Sequence, residues 1–95
     1  MNKLNVFRKA MENKEIMKGV VKLVQYNKDL GTDILALDLD GVKGVIVREE
    51  ADHEVKWKSL VGFIGREVNF IVKSIDEETG TVFCSRKEAQ EILKG

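Results

Sequence analysis

Alternating apolar and polar residues, interrupted by short turn signals, constrain most strongly what this 95-residue chain can fold into. Segments rich in β-branched residues cover residues 16–26, 32–39 and 42–48, and two more cover residues 67–75 and 81–85. A period of two points one set of side chains toward a core and the other toward solvent, so each segment predicts a β-strand. The alternation predicts an inward-facing set made of Val68, Phe70, Val72, Val82 and Cys84.

Turn residues separate these predicted strands. Residues 27–31 and 76–80 are turns by composition, and Asp40-Gly41 is a strong signal for a two-residue hairpin. The third and fourth strands are joined by residues 49–65, which we expect to form a loop with a helical turn. Three hairpins and one long connection favour an all-β fold, a five-stranded antiparallel barrel of the OB type, over a meander or an SH3-like barrel.

Short helices are predicted at both ends of the chain. Residues 4–13 carry an apolar face at helical spacing, so we expect residues 1–15 to form a helix that packs on a barrel of residues 16–95. Ser85 and Glu88 have the spacing of a capping box, in which the serine accepts the Glu88 amide and the glutamate side chain reaches back. The second helix is therefore expected over residues 86–93.

Charge and composition limit the function classes. Sixteen basic and sixteen acidic residues cancel, so nucleic-acid binding needs a local basic patch. The single cysteine excludes an intramolecular disulfide and fits a reducing cytoplasm. We find no signal-peptide core and no apolar run near the roughly 20 residues of a membrane span, and expect a cytoplasmic protein without a membrane partner.

Residues that carry chemistry are sparse. One histidine and one cysteine stand far apart, without metal-ligand spacing. Glycine-rich phosphate loops and paired catalytic carboxylates are missing from the sequence. We therefore expect no metal, no cofactor, no catalytic residues and no enzymatic activity.

Several short motifs together form a recognisable pattern: Gly19-Val20-Val21, the run from Leu39 to Gly44, and the run from Cys84 to Ala89. With Val61-Gly62, Val68, Val72 and Gly80, this pattern resembles the RNA-binding repeat of bacterial small-subunit ribosomal protein S-one. The resemblance covers residues 17–90 and implies an OB fold that binds single-stranded RNA across its second and third strands. It also implies the ribosome or messenger RNA as the setting of that binding.

The family's RNA contacts are largely replaced in this chain. Asp33 and Ala36 occupy the aromatic positions of strand two, Val47 the histidine position of strand three, and Thr81 a position that is often basic, whereas Asp76 matches. Stacking contributes roughly 1–3 kcal/mol per base, so binding without it is expected to be weak and mainly electrostatic. The candidate RNA-binding residues are Lys22, Tyr26, Lys28, Lys43, Arg48, Asp76 and Arg86.

Each candidate also has a plainer interpretation. Tyr26 could cover the barrel mouth, Arg48 could pair with Glu49 or Glu50, and the lysines and Arg86 could simply be solvated. Trp57, between two lysines, either contacts nucleic acid or anchors the long connection. Phe83 points outward and either stacks on a base or, as we expect, packs under the N-terminal helix.

The main alternative function is a protein-interaction module, an OB barrel that has lost its stacking aromatics and docks on a protein partner. The neutral net charge and Asp33 favour this alternative.

Overall fold

The computed structural model describes residues 3–51 and 60–94. Helix α1 (Leu4–Asn13) precedes strands β1 (Met17–Asn27), β2 (Thr32–Leu39) and β3 (Val42–Val47), and a short helix α2 (Arg48–Ala51) follows. A 3₁₀ turn (Leu60–Phe63) leads to β4 (Glu67–Asp76), β5 (Thr81–Ser85) and helix α3 (Arg86–Lys94). The predicted β-rich chain with short terminal helices is confirmed. Arg48 was predicted to end the third strand, but it begins α2.

The five strands form one sheet that closes on itself in the order β1-β2-β3-β5-β4. The β3–β5 pair is parallel, with Lys43 opposite Thr81, while the other neighbouring pairs are antiparallel. The prediction of a wholly antiparallel barrel is therefore wrong. In a wholly antiparallel ring the strand directions would have to alternate all the way around. Five strands cannot alternate in a closed ring, so at least one pair must be parallel.

The interior of the ring is apolar and includes the predicted inward-facing set. Phe70 and Val82 are 0% exposed, and Val68, Val72 and Cys84 join them in one cluster with the inward residues of β2. A Cβ added to Gly19 or Gly44 would lie 2.7 Å from a methyl group of Leu39. Two strands therefore need glycine so that Leu39 can fill the space between them.

Helix α1 packs against β4, and its buried residues Leu4, Phe7 and Ala10 belong to the same apolar cluster. A cavity of about 620 Å³ lies where α1 meets the barrel and is bordered by Phe7 and Phe70. At the β2–β3 turn, Asp40 (φ 56°) and Gly41 (φ 89°) both have positive φ, as a tight type I′ hairpin requires.

Polar contacts join the two short helices that follow β3 and β5. The Ser85 hydroxyl accepts the Glu88 N–H at 3.0 Å, which confirms the predicted cap, and donates to Glu50 at 2.6 Å. The Glu88 carboxylate pairs with Lys73 rather than reaching back to Ser85. This hydrogen-bonded pair raises the pKa of Lys73. Within the described residues, no helix is long and apolar enough to cross a membrane.

Candidate nucleic-acid interface

Alternate residues of β1, β2, β3 and β5 point away from the barrel interior and form what we call the outward face. One row across this face is apolar: Leu23 lies opposite Ala36, Ala36 opposite Val45, and Val45 opposite Phe83. Ala36 and Val45 are 8% and 4% exposed, and neither belongs to the interior cluster. The residues in the middle of this row therefore form an apolar floor on the outside of the barrel.

A second row of the outward face carries charge. Asp38 lies opposite Lys43, Lys43 opposite Thr81, and Thr81 opposite Asp76. The Asp38 carboxylate accepts the Gly41 N–H at 2.9 Å and so helps to hold the hairpin turn. This row runs beside the apolar row, two residues later in β2 and two residues earlier in β3 and β5.

A bulge in β1 brings a fourth charged residue to this row. The register of β1 and β2 shifts between Val21 and Leu23, and Lys22 is the extra residue. Lys22 and Lys43 border a depression of about 280 Å³, which Ala36 also lines. Within residues 3–51 and 60–94, neither lysine has an ion-pair partner.

Tyr26, Lys28 and Arg48 lie toward the other end of β2. Tyr26 pairs in register with Asp33 and is 62% exposed, and Lys28 is exposed in the adjoining turn. Arg48 donates to the Asp33 carboxylate across 3.4 Å. Because both partners are partly exposed, this pair contributes on the order of 0–1 kcal/mol, and a competing phosphate can displace the carboxylate.

Arg86 has a different environment from the other candidates. Its guanidinium donates to the carbonyl of Ala51 at 2.9 Å and lies 5.0 Å from the centre of the Phe63 ring. A cation over an aromatic face and a carbonyl acceptor are both stabilising partners. Arg86 therefore joins α2, α3 and the 3₁₀ turn, and its charge is used inside the protein.

Asp76 also has local partners. Its carboxylate accepts the Glu78 N–H at 3.1 Å, and its carbonyl accepts the Gly80 N–H at 2.9 Å. These bonds shape the β4–β5 turn, as aspartate commonly does in turns. The structure thus gathers Lys22, Lys43 and Asp76 at one end of the face and Tyr26, Lys28 and Arg48 at the other.

Two features of the face were missed by sequence reasoning. One is the bulge between Val21 and Leu23, which places Lys22 beside the depression. The apolar row was also missed, because the parallel β3–β5 pairing is what aligns Val45 with Phe83. We expected Phe83 to pack under the N-terminal helix. In the structure Phe83 is half-buried on the outward face, and α1 packs on β4. Trp57 and His53 lie outside the described residues.

The described residues contain no group of three or more histidine, cysteine, aspartate or glutamate side chains that could hold a metal ion. Cys84 is buried between β-strand neighbours, and burial raises the pKa of its thiol to about 12. A thiol that stays protonated is a poor nucleophile.

Comparison with known proteins gives structural neighbours only. No protein-family model and no curated protein matches the chain. GSP13 from Bacillus subtilis matches with a TM-score of 0.59 and 26% identity, over 80% of this chain and 55% of that one. A chain of the a/eIF2alpha–aDim2p–rRNA complex from Pyrococcus horikoshii OT3 matches with a TM-score of 0.59 and 19% identity, over 84% of this chain and 47% of that one.

The chain thus spans about half the length of each of these neighbours. At 19% identity the second match concerns the fold alone. Both matches are consistent with the resemblance of residues 17–90 to the ribosomal S-one repeat.

Proposed function

We propose that this chain is a module that binds single-stranded RNA weakly and mainly through charge, on the outward face of β1, β2 and β3. One observation carries the proposal: Lys22 and Lys43 flank a depression with Ala36 in its lining. Two ammonium groups beside an apolar surface can meet successive phosphates while a base lies between them. The resemblance of residues 17–90 to the RNA-binding repeat of ribosomal protein S-one supports this choice of ligand.

The remaining candidates receive roles from their surroundings. Lys28, Arg48 and Tyr26 extend the path along β2 to its other end, where Tyr26 offers an exposed ring. Asp76 shapes the turn next to Lys43, and Arg86 supports the barrel without touching RNA. The chain as a whole carries no net charge, so its long-range attraction for RNA is small. We further propose that it is not an enzyme and acts in the cytoplasm, on the ribosome or messenger RNA.

The test is a titration of a labelled single-stranded RNA of about 12 nucleotides, a length suited to one OB fold. Fluorescence anisotropy is measured at salt concentrations between about 50 and 200 mM. Each lost phosphate contact should flatten the log–log salt slope by about 0.7. Lys22→Ala and Lys43→Ala should each flatten the slope by this amount. The factor by which each variant weakens binding should then be roughly threefold larger at about 50 mM salt than at about 200 mM.

Lys9→Ala is the matched control, because it removes the same charge from an exposed position on α1. It should change neither affinity nor slope. If Lys9→Ala weakens binding as much as Lys43→Ala, charge alone and no particular face is responsible. If the wild-type chain binds no RNA at the lowest salt, the proposal is rejected and a protein partner becomes the better hypothesis.

A further inference from the structure

We infer that Phe83 is a base-stacking platform of the RNA interface, placed two strands away from the β2 positions where aromatic residues are absent. This inference rests on the proposed RNA-binding function. It assigns the interface a contact that is not electrostatic and that lies on β5.

The direction of the Phe83 side chain follows from its neighbours on β5. Val82 and Cys84 are 0% and 2% exposed and belong to the interior cluster, so the residue between them points out of the barrel. Phe83 is half-buried and does not belong to that cluster. Its ring therefore contributes to the outside surface rather than to the core.

Cross-strand register places Phe83 at the edge of the apolar row. Val45 lies directly opposite it on β3, and Ala36 lies opposite Val45 on β2. Both of these side chains are smaller than phenylalanine, so the ring stands above a low apolar floor. On the far side of Phe83, β4 presents Ser74, an exposed and small residue. Phe83 thus has smaller side chains beside it on both neighbouring strands.

Lys43 is within reach of a nucleotide stacked on this ring. Lys43 lies opposite Thr81, two residues before Phe83 on the same face of β5. Neighbouring strands lie about 4.8 Å apart and two residues span about 6.6 Å, so Lys43 and Phe83 are about 8 Å apart, a distance that a lysine side chain spans. One nucleotide can therefore stack its base on Phe83 while its phosphate meets Lys43.

The other aromatic residues of the described chain are placed differently. Phe7 and Phe70 are buried in the core, and Phe63 lies under the guanidinium of Arg86. Tyr26 is exposed at the opposite end of β2. Among the residues that the structure describes, Phe83 is therefore the aromatic whose strand register places it beside Lys43 on the outward face.

The experiment compares Phe83→Leu, which keeps an apolar side chain but removes the ring, with Phe83→Tyr, which keeps the ring. Affinity for the same labelled RNA is measured across the salt series. Phe83→Leu should weaken binding by about 5- to 20-fold, the lower part of the range for one stacked base, because the ring is half-buried. Its salt slope should equal that of the wild type, since stacking releases no counterions. Phe83→Tyr should bind like the wild type.

A second readout does not depend on the stability of Phe83→Leu. In a Trp57→Phe background, Phe83→Trp provides a fluorophore at the proposed platform, and stacking on a base should quench its emission in proportion to RNA bound.

Wild-type affinity in Phe83→Leu, or bound RNA without quenching of the tryptophan, overturns the inference and leaves the proposed function standing. Absence of RNA binding by the wild-type chain overturns both. A loss of affinity in Phe83→Leu that comes with a flatter salt slope also overturns the inference, because it would mean that the variant displaces Lys43.

Discussion

Truncation of Phe70 to alanine tests the register of β4, and with it the division between interior and outward face. The side chain is 0% exposed and lies opposite Met17 of β1. Its ring approaches Gly19 so closely that a Cβ there would lie 3.2 Å away. Phe70→Ala therefore removes a ring that packs closely against β1.

The structure also indicates where in the usual range the cost falls. Truncating a buried phenylalanine costs about 3–5 kcal/mol, depending on how far the surroundings collapse. Phe70 borders the cavity between α1 and the barrel, so α1 can settle into part of the space. We therefore expect Phe70→Ala to lower the free energy of unfolding by about 3–4 kcal/mol. A loss of this size lowers the melting temperature of a domain of this length by roughly 12–30 °C.

The assay is urea unfolding followed by far-ultraviolet circular dichroism, with Phe83→Ala as the matched control. Phe70→Ala should lower the midpoint while leaving the slope unchanged. Phe83→Ala removes the same side chain from a half-buried outward position and should cost less than half as much. An unchanged midpoint in Phe70→Ala, or an equal cost for the two variants, would show that the strand register is wrong by one residue.

Three further outcomes are expected. Lys14, which follows the last residue of α1, has φ 51°, a left-handed conformation that glycine adopts more easily than lysine. Lys14→Gly should therefore raise the free energy of unfolding by about 0.5–1 kcal/mol, and a lower melting temperature would contradict this. The pKa of Cys84 rises to about 12 in the folded chain, so its thiol stabilises the fold fully below the pKa of the unfolded thiol, near 9. That stabilisation is lost as pH rises from 9 to 12, at up to about 1.4 kcal/mol per pH unit, and Cys84→Ala should remove this part of the alkaline decline in urea titrations; an identical decline would refute the assignment. Arg86→Ala should lower the free energy of unfolding by about 1–3 kcal/mol, because it removes the hydrogen bond to the Ala51 carbonyl. It should leave the salt dependence of RNA binding unchanged, and a slope as flat as that of Lys43→Ala would mean that Arg86 contacts RNA.

Features that depend on neighbouring residues could be predicted from the sequence. The bounds of β2 and β5 follow from alternation and from the turn residues beside them. Asp40 and Gly41 tolerate positive φ, which is why their pair signals a tight hairpin. Ser85 caps α3 because its hydroxyl reaches an amide within the next turn.

Features that depend on distant residues could not be predicted in this way. Arg86 binds a carbonyl 35 residues earlier, and no local pattern marks that partner. The two groups of candidate site residues are likewise separated by register, which sequence spacing does not reveal. The parallel β3–β5 pair is a different case, because five strands in a closed ring must include at least one parallel pair, and the strand count was predicted.

The packing of α1 against β4 sets an order of events during synthesis. The helix spans residues 4–13, yet the strand that covers it spans residues 67–76. At about 5–20 residues per second, the ribosome needs several seconds to make the chain between them. Throughout that interval Leu4 and Phe7 lack the residues of β4 in their final cluster, while the β1–β2 and β2–β3 hairpins can already form. Helix α1 therefore gains β4, the strand against which it packs, only after the first three strands have been made.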